Sequence, residues 1–305
     1  MKETNQKPIT YISHLFSIYK ASAEYTLWPI KEERFIKILT GVGDTNTTIR
    51  IFSLGNAFIL CKYKETDEEN KGRIIFLFVS KKDRKKGIGT QLLEQGIEWL
   101  KSKGATEIKC GGGAGSYFWP AIPKNLDCKE FFVKNGFEVE DNGPVDMSQD
   151  ITNFVVPKGV DDSLKENKVE IEFSSKEWAD EILKFTKENF PNWYDYYEQH
   201  LKNEEYDKVF FAHKDKEIIG ISELWIGDCN WDLLFENNVG GGGALGISEE
   251  WRGKGIGLAM KSYGTELLRD KGIKYVWIGW TYEIDFYKKL GFKVWREFLE
   301  NKYVI

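Results

Sequence analysis

The first half of the chain reads as helices, then strands, then a longer helix. Apolar side chains recur at helical spacing in two segments on either side of Pro29, and three β-branched or aromatic runs follow, separated by turn residues. The predicted elements are helices at 9–20 and 31–39, strands at 48–54, 57–63 and 73–79, and a helix that ends at Gly104. The three consecutive strands predict an antiparallel meander that leads into the last helix.

The second half repeats this order after a charged segment. Its predicted elements are a strand at 169–173, helices at 177–190 and 192–201, strands at 209–213, 218–225 and 244–247, and a helix at 256–271. Residues 157–168 are polar and lack a hydrophobic pattern, as expected of a linker. We therefore predict an N-terminal domain at 1–156, a linker at 157–168 and a C-terminal domain at 169–305.

A glycine-rich hexapeptide lies between the last strand and the long helix of each half. Residues 84–89 read Arg-Lys-Lys-Gly-Ile-Gly and residues 252–257 read Arg-Gly-Lys-Gly-Ile-Gly. A helix start leaves about four N–H groups without intrahelical partners and carries partial positive charge, so it favours anions. Glycine lets the backbone approach a ligand closely, which suits a pyrophosphate. Neither copy fits a Walker loop or the G-x-G-x-x-G dinucleotide motif.

Both hexapeptides match [RQ]-x-x-G-x-[GA], the acetyl-CoA loop of the GNAT superfamily of N-acetyltransferases, and the chain resembles a tandem GNAT protein. The resemblance implies two α/β (α+β) GNAT folds, each a mixed, mostly antiparallel sheet flanked by helices. It also implies acetyl-CoA as cosubstrate. The residues expected to bind it are Val79, Arg84, Lys85, Lys86, Gly87, Ile88, Gly89, Thr90 and Asn125 in the first half, and Ile247, Arg252, Gly253, Lys254, Gly255, Ile256 and Gly257 in the second.

A second GNAT signature places a tyrosine four residues before a Gly-Phe pair. In the second half this tyrosine is Tyr287, and the resemblance makes it the acid that protonates the departing thiolate. The same position in the first half is Phe132, although Asn125 and Cys128 there match the Asn and small-residue positions of the signature. We therefore expect the first half to bind CoA without catalysis and the second half to be catalytic. A tyrosine that only packs beside Phe292 is the alternative.

The base that takes a proton from the acceptor amine is less evident in the sequence. Glu223, on the predicted strand at 218–225, is our candidate, whereas Glu249 and Glu250 are expected to be solvated residues flanking the loop. The four glycines at 240–243 weaken a strand but permit a bulge and close approach by a ligand. They are expected to form either the floor of the pantetheine pocket or a flexible loop.

An aromatic segment is present only in the first half. The two halves share one offset from the hexapeptide to the end of the long helix, but the first half has extra residues before its Gly-Phe pair. The extra segment lies within 110–127 and contains Gly111, Gly112 and Gly113, followed by Tyr117, Phe118, Trp119 and Pro120. We expect it either to close over a ligand or to dock against the second domain, with docking preferred.

Composition limits the class of function. Aromatic residues make up 15% of the chain, which indicates well-filled cores or aromatic-lined pockets. A net charge of −5 argues against nucleic-acid binding. Cys61, Cys110, Cys128 and Cys229 lack C-x-x-C spacing and His14, His200 and His213 are scattered, so no metal site is predicted.

The remaining expectations concern location and partners. The N-terminal residues lack the apolar core of a signal peptide and no run suits a membrane span, so we expect a cytoplasmic protein without membrane association. A monomer is plausible because the tandem supplies an intramolecular pseudo-dimer. The expected partners are acetyl-CoA and an unidentified, small amine acceptor. The alternatives are a non-catalytic acyl-CoA sensor, a purely structural first half, or acetylation of a protein or peptide amine.

Overall fold

The computed structural model describes residues 8–41, 47–64, 70–112, 118–227 and 229–305. By internal contacts the chain forms two compact units, each assembled from separate stretches of sequence. Unit 1 comprises Met1–Val145, Cys229–Leu234 and Arg296–Ile305, and unit 2 comprises Asp146–Asp228 and Phe235–Trp295. Residues 296–305 therefore belong to unit 1, whereas the sequence prediction placed them in the C-terminal domain at 169–305.

The elements follow the predicted order in both halves. Up to residue 140 they are α1 (Ile9–Lys20), α2 (Ala23–Leu27), α3 (Glu32–Thr40), β1 (Thr47–Leu54), β2 (Ala57–Lys64), β3 (Lys71–Phe78), α4 (Ile88–Ser102), β4 (Glu107–Cys110), β5 (Ile122–Pro123), α5 (Lys129–Lys134) and β6 (Glu138–Glu140). The bounds of α1 coincide with the prediction, and those of the other predicted elements here differ by about two residues at most.

The remaining elements begin with β7 (Val145–Asp150) and α6 (Asp162–Asn167). They continue with β8 (Glu170–Phe173), α7 (Ala179–Asn189), α8 (Tyr194–Lys202), β9 (Val209–Lys214), β10 (Glu217–Glu223), β11 (Trp225–Ile226), β12 (Val239–Gly241), β13 (Gly246–Ile247), α9 (Ile256–Asp270), β14 (Tyr275–Thr281), α10 (Ile284–Lys288) and β15 (Lys293–Val304). The predicted linker contains a helix, α6. The predicted strand at 218–225 is divided between β10 and β11.

The sheet of unit 1 begins as the predicted meander, because β1 pairs antiparallel with β2 and β2 with β3. Strand β4 then pairs parallel with β3, and the unit 1 part of β15 pairs antiparallel with β4, β5 and β6. Helix α4 packs its apolar face, which includes Leu92, Leu93 and Leu100, against the sheet. This core satisfies the hydrophobic pattern from which the helix was predicted.

Unit 2 contains a four-stranded antiparallel sheet in the order β13-β10-β9-β8. Strand β12 pairs parallel with β14 and antiparallel with β11. The strand before the hexapeptide is thereby broken between β12 and β13, where Ala244 takes a positive φ of 45°. Only Gly246 and Ile247 of the predicted 244–247 strand are extended, because the glycine run weakens a strand and allows the chain to leave the sheet direction.

None of the helices in the described ranges combines enough length with enough apolar character to cross a bilayer.

Candidate active site

The hexapeptide of unit 1, which is predicted to bind an anion, forms the loop at the start of α4 (the anion loop). Gly87 is the N-cap residue in a left-handed conformation, with φ of 81°, and no side chain caps the helix. The Arg84 side chain folds back, so that its Nε donates to the Val79 carbonyl at 3.0 Å. The first-turn N–H groups therefore keep their capacity to bind an anion, beside the charges of Arg84 and Lys85.

Unit 2 repeats this geometry. Gly255 is the N-cap of α9 with φ of 82°, and Arg252 Nε donates to the Ile247 carbonyl at 3.0 Å. Helices α4 and α9 are both 15 residues long, and each N-cap glycine has ψ of −9°. The sequence repeat is thus also a repeat of backbone conformation and of hydrogen bonding.

In unit 1 the loop opens into a cavity where two parallel strands separate. The pairing of β3 with β4 extends to Ile74 and Cys110, and β3 then continues to Phe78 with β2 as its strand partner. The cavity beyond this point has a volume of about 640 Å³. The predicted cosubstrate residues that line it are Val79, Arg84, Lys85, Gly87, Gly89 and Thr90. A cleft of this size and apolar character is typical of small-molecule sites.

Three predicted residues of unit 1 have other surroundings. The Lys86 ammonium group lies 3.2 Å from an Asp83 carboxylate oxygen. Ile88 packs against the hydrophobic core. Asn125 accepts a hydrogen bond from Trp28 Nε1 at 3.2 Å. None of the three side chains lines the cavity.

Titratable side chains such as Tyr19, Glu24 and Asp127 line the unit 1 cavity, but none of them is at the signature position. Phe132 lines it at the position where the family signature has tyrosine, and Cys128 lies nearby. Burial raises the pKa of the Cys128 thiol to about 11, so this thiol is protonated at neutral pH. Glu24 also lines the cavity, and its carboxylate lies 2.6 Å from Arg84 Nη2. The cavity therefore lacks the hydroxyl group that the family signature would place there.

Glycines that precede the hexapeptide of unit 2 are packed closely against other residues of unit 2. A methyl group at Gly240 would lie 2.8 Å from Leu268, one at Gly241 would overlap the Trp225 ring, and one at Gly246 would overlap the Phe190 ring. These glycines thus make room for large side chains of unit 2. Gly240 and Gly241 lie in β12, so they do not form the expected flexible loop, and the floor of the pantetheine pocket remains a prediction.

Helix α6 from the predicted linker lies against the unit 2 loop. A methyl group at Gly255 would be 3.0 Å from the Ser163 Cβ atom, whereas one at Gly87 would meet nothing within 4 Å. The loop of unit 2 is therefore more enclosed at its N-cap glycine than the loop of unit 1.

Tyr287 lies on α10, with its ring centre 6.0 Å from that of Phe292. Its hydroxyl forms no hydrogen bond within the part of the chain that the structure describes. Burial raises the pKa of Tyr287 to about 12, so the hydroxyl stays protonated at neutral pH. A protonated phenol without a partner can donate to a ligand.

A buried charged pair lies near Tyr287. Glu223, at the end of β10, is 8% exposed and Lys261, on α9, is 4% exposed. Burial raises the pKa of Glu223 to about 7 and lowers that of Lys261 to about 8, and each group partly offsets the shift of the other. Lys261 Nζ donates to the Gly242 carbonyl at 3.2 Å and lies 5.9 Å from the centre of the Tyr287 ring. Lys261 thus brings the two predicted catalytic residues into one neighbourhood.

His200 is a further member of this group. Its Nε2 atom lies 3.8 Å from Glu223 Oε2, and its Nδ1 atom lies 2.6 Å from Glu205 Oε2. Sequence reasoning missed Lys261 and His200. The available signal for Lys261 was its helical spacing on α9, where it shares a face with Gly264, Thr265 and Leu268.

The aromatic segment of the first half belongs to the core of unit 1. Phe118 is fully buried, and the Trp119 ring stacks on that of Phe76 at 5.2 Å between centroids. Trp119 also lines the cavity. Gly113 and Tyr117 lie outside the described residues. The two described aromatics are buried among other rings, which stabilise them, so they form a fixed wall in place of the expected lid. Phe118 packs against Trp231 of the predicted second domain at 5.5 Å between ring centroids, and its carbonyl accepts a hydrogen bond from Asn230 Nδ2, so the preferred expectation of docking is confirmed for this part of the segment.

One group of potential metal ligands lies elsewhere in unit 2. Glu170, Glu172 and His213 each offer one ligand atom within 4.8 Å of the others, and both glutamates are exposed. His213 Nε2 is 3.2 Å from Glu172 Oε1, a separation that an ion pair explains. The absence of a metal cofactor remains a prediction.

Comparison with known proteins gives a family and a fold. The model of the acetyltransferase (GNAT) family matches residues 55–117 and 174–292. No curated protein matches the sequence. A solved structure of a GCN5-related glucosamine N-acetyltransferase region in a fungal multi-domain GH3 β-N-acetylglucosaminidase has a TM-score of 0.89 and 22% identity, over 98% of this chain and 37% of that chain. The present chain thus spans little more than a third of that protein.

Two further solved structures are similar over almost their whole length. A tandem GNAT protein from the clavulanic acid biosynthesis pathway has a TM-score of 0.68 and 14% identity, over 97% of this chain and 95% of that chain. A GCN5-related N-acetyltransferase from Sphaerobacter thermophilus has a TM-score of 0.58 and 14% identity, over 94% and 93%. At these identities the likeness is one of fold. Because the family model covers more than half of the sequence and includes both anion loops, the chain belongs to the acetyltransferase (GNAT) family, with two GNAT folds in tandem.

Proposed function

We propose that the protein is an acetyl-CoA-dependent N-acetyltransferase that moves an acetyl group directly from the thioester to the amine of a small acceptor. The observation that carries this proposal is the pair of matching anion loops, one of which opens into the cavity of unit 1. A pyrophosphate is a natural ligand for free N–H groups at a helix start flanked by arginine and lysine. The family supplies the expectation that this pyrophosphate belongs to acetyl-CoA.

The backbone N–H groups and the charged side chains of the loops would have different roles in binding the pyrophosphate. Backbone N–H groups of Gly87, Ile88, Gly89 and Thr90 in unit 1, and of Gly255, Ile256 and Gly257 in unit 2, would bind phosphate oxygens. Arg84, Lys85 and Lys86, with Arg252 and Lys254 in unit 2, would add positive charge around them. We propose that unit 1 binds the cosubstrate without turnover, because Phe132 has no proton to donate.

Unit 2 would carry the chemistry. The acceptor must lose a proton before its nitrogen attacks the thioester carbonyl, and Glu223 is proposed to take it because burial places the pKa of this carboxyl at about 7, near the working pH. Tyr287 would donate its hydroxyl proton to the departing thiolate. Positioned acids and bases of this kind contribute ~10²- to 10⁴-fold each.

An amino sugar is our proposed acceptor. The fungal relative is described as a glucosamine N-acetyltransferase region. In this chain, two aromatic side chains near the end of β14 are accessible, with Trp280 38% and Tyr282 57% exposed. Trp280 also has a positive φ of 53°, an uncommon conformation that marks functional sites more often than ordinary strand ends. Exposed aromatic rings could pack against the apolar face of a sugar.

A non-catalytic acyl-CoA-binding protein is the second candidate, favoured by the presence of Phe132 in the cavity of unit 1 and by the close packing around the unit 2 glycines. Acetylation of a protein or peptide amine would leave the same thioester chemistry intact and differ only in the acceptor.

Acetyl transfer to glucosamine tests the proposal. Purified protein with acetyl-CoA should release free thiol in the presence of glucosamine, and mass spectrometry should find the N-acetylated sugar. Glucose and N-acetylglucosamine, which lack a free amine, are the matched controls. If free thiol is released with a peptide amine but with no amino sugar, the acceptor is a protein or peptide amine and the amino-sugar proposal is wrong. Tight CoA binding without transfer to any amine would favour the second candidate.

A further inference from the structure

The geometry points to a proton relay in unit 2, in which His200 passes the proton taken up by Glu223 to Glu205 at the surface. This inference rests on the proposed function, because Glu223 has a proton to release only if it acts as the base. His200 would be a positioning and relay residue that does not touch the acceptor.

The imidazole of His200 lies between two carboxylates. Glu205 Oε2 is 2.6 Å from Nδ1, and Glu223 Oε2 is 3.8 Å from Nε2 on the opposite side of the ring. The Tyr196 ring meets the imidazole edge-on, at 4.8 Å between centroids. A hydrogen bond from Nδ1 to Glu205 selects the neutral tautomer whose Nε2 lone pair faces Glu223.

The two carboxylates differ in their access to water. The side chain of Glu223 is 10% exposed, whereas that of Glu205 is 32% exposed. A proton taken up by Glu223 therefore needs a route out of the protein, and His200 bridges the distance to a group that reaches solvent. The 3.8 Å separation would have to shorten by about 1 Å to become a hydrogen bond, a change commonly expected on substrate binding.

Neighbouring charged groups shift the pKa values of both carboxyl groups of the relay. Lys261 approaches Glu223 from α9, and a hydrogen bond from the Gly243 backbone also favours the ionised form of Glu223. On the outer side, Lys208 Nζ lies 2.5 Å from Glu205 Oε1. Lys208 holds the pKa of Glu205 below its usual value, so Glu205 passes a proton rapidly to water.

The relay balances as a transfer of one proton. Glu223 takes a proton from the acceptor ammonium and becomes a neutral carboxylic acid. His200 then accepts this proton at Nε2 and gives up its Nδ1 proton to Glu205, which releases it to solvent. The starting tautomer of His200 returns when Nε2 gives its proton to water and Nδ1 takes one up from water, which leaves the net transfer at one proton, and Glu223 is again a carboxylate.

Replacement of His200 by glutamine tests the relay, with His213→Gln as the matched control. His213 is also a buried imidazole of unit 2 beside carboxylates, but both of these, Glu170 and Glu172, are exposed, so it links no buried carboxylate to solvent. For His200→Gln we expect the kcat for acetyl transfer to fall by ~10- to 100-fold. The KM for acetyl-CoA should not change, and added imidazole should restore part of the rate to His200→Ala. The control should keep its kcat.

A wild-type kcat in His200→Gln, or an equal loss of kcat in His213→Gln, would overturn the relay while leaving acetyl transfer intact. A wild-type protein that transfers to no amine would instead overturn the proposed function, and the relay's catalytic role with it.

Discussion

Tyr287 and Phe132 differ by one hydroxyl group at matching positions of the two halves, and their surroundings differ as well. Phe132 is a wall of the unit 1 cavity, whereas Tyr287 lies beside the buried ammonium group of Lys261. The hydroxyl is thus present only in the half that also holds a buried acid–base pair. This coincidence supports the assignment of chemistry to unit 2.

Tyr287→Phe should slow acetyl transfer by ~10- to 1,000-fold, because one general acid is lost and water partly replaces it. The ring remains, so the CoA affinity and the unfolding temperature should change little. Steady-state kinetics with chemistry rate-limiting checks this, and Tyr275→Phe is the control because its hydroxyl contacts Glu236 at the exposed surface of unit 2. A Tyr287→Phe enzyme with the wild-type kcat would make Tyr287 a packing residue.

The pH dependence of transfer should follow Glu223. The carboxylate is the active form, so kcat should rise with pH through about 7, the raised pKa of Glu223. Lys261 favours the carboxylate, and Lys261→Met should therefore move this rise to higher pH. Lys271→Met, at the exposed end of the same helix, should leave the profile unchanged. A profile flat between pH 6 and 8 in the wild type would remove Glu223 as the base.

Individual site residues could be predicted where a sequence motif marked them. Contacts between side chains of different helices and strands could not. Glu223 and Tyr287 could be proposed from the sequence because a predicted strand and a family signature, respectively, marked them. His200 and Lys261 reach Glu223 from α8 and α9, and no local pattern encodes which side chains of separate helices meet at one strand. Phe118 and Trp119 were located as aromatic residues, but their burial depends on rings more than forty residues away.

The start of α4 and its end each contain a left-handed glycine, which provides an internal control for the anion loop. Gly87→Ala places a methyl group in the space that a ligand approaching the backbone would use, and should weaken CoA binding at least ~10-fold, equivalent to about 1.4 kcal/mol. Gly104→Ala carries the same backbone strain at φ of 93° but lies away from the loop, and should bind CoA normally. Isothermal titration calorimetry would measure the CoA affinity of each variant. Equal CoA affinities of the two variants would exclude the loop as the binding site.

The contact between α6 and the unit 2 loop should have a measurable effect on the unfolding temperature of variants at this loop. Gly255→Ala combines the strain of a left-handed alanine, about 1–2 kcal/mol, with a close approach to Ser163. Gly253→Ala has only the strain, since nothing lies near that position. Thermal unfolding should therefore rank Gly255→Ala as the less stable variant, and Ser163→Gly should recover the difference. Equal stabilities would mean that α6 does not hold this position in solution.

Most element types could be predicted because their hydrophobic periods are long and regular. The exceptions are short pieces whose form depends on tertiary packing. The strand before the second hexapeptide is broken because Trp225 and Phe190 occupy the space that side chains of a continuous strand would fill. Helix α6 has no buried residue, so its sequence carries no apolar stripe to mark it.

Unit 1 contains the C-terminal end of the chain. Phe298 and Leu299 are buried, and the Asn301 side chain exchanges two hydrogen bonds with the backbone of Cys110 on β4, at 2.6 and 3.0 Å. The segment at 229–234 also contributes to unit 1, where Asp232 forms an ion pair with Lys31 at 2.9 Å. Local patterns could not predict this, because a strand pattern does not specify its partner.

A fragment of residues 1–156 should therefore fail to fold cooperatively, although it contains the whole predicted N-terminal domain. Without residues 296–305, one side of β4 loses its strand partner and the core loses Phe298. Circular dichroism and chemical denaturation should show a broad transition. The same fragment with residues 296–305 joined through a flexible linker should regain a sharper one. A sharp transition in the plain fragment would show that the strand is dispensable.

The position of this strand also has a consequence for synthesis on the ribosome. Domains usually complete folding in the order in which they emerge, at about 5–20 residues per second. Here unit 1 is complete only once residues 296–305 have also been translated, a delay on the order of ten seconds at that rate. During this interval the edge of β4 is open to other chains, so a nascent-chain chaperone would find its target in the half of the protein that was made first.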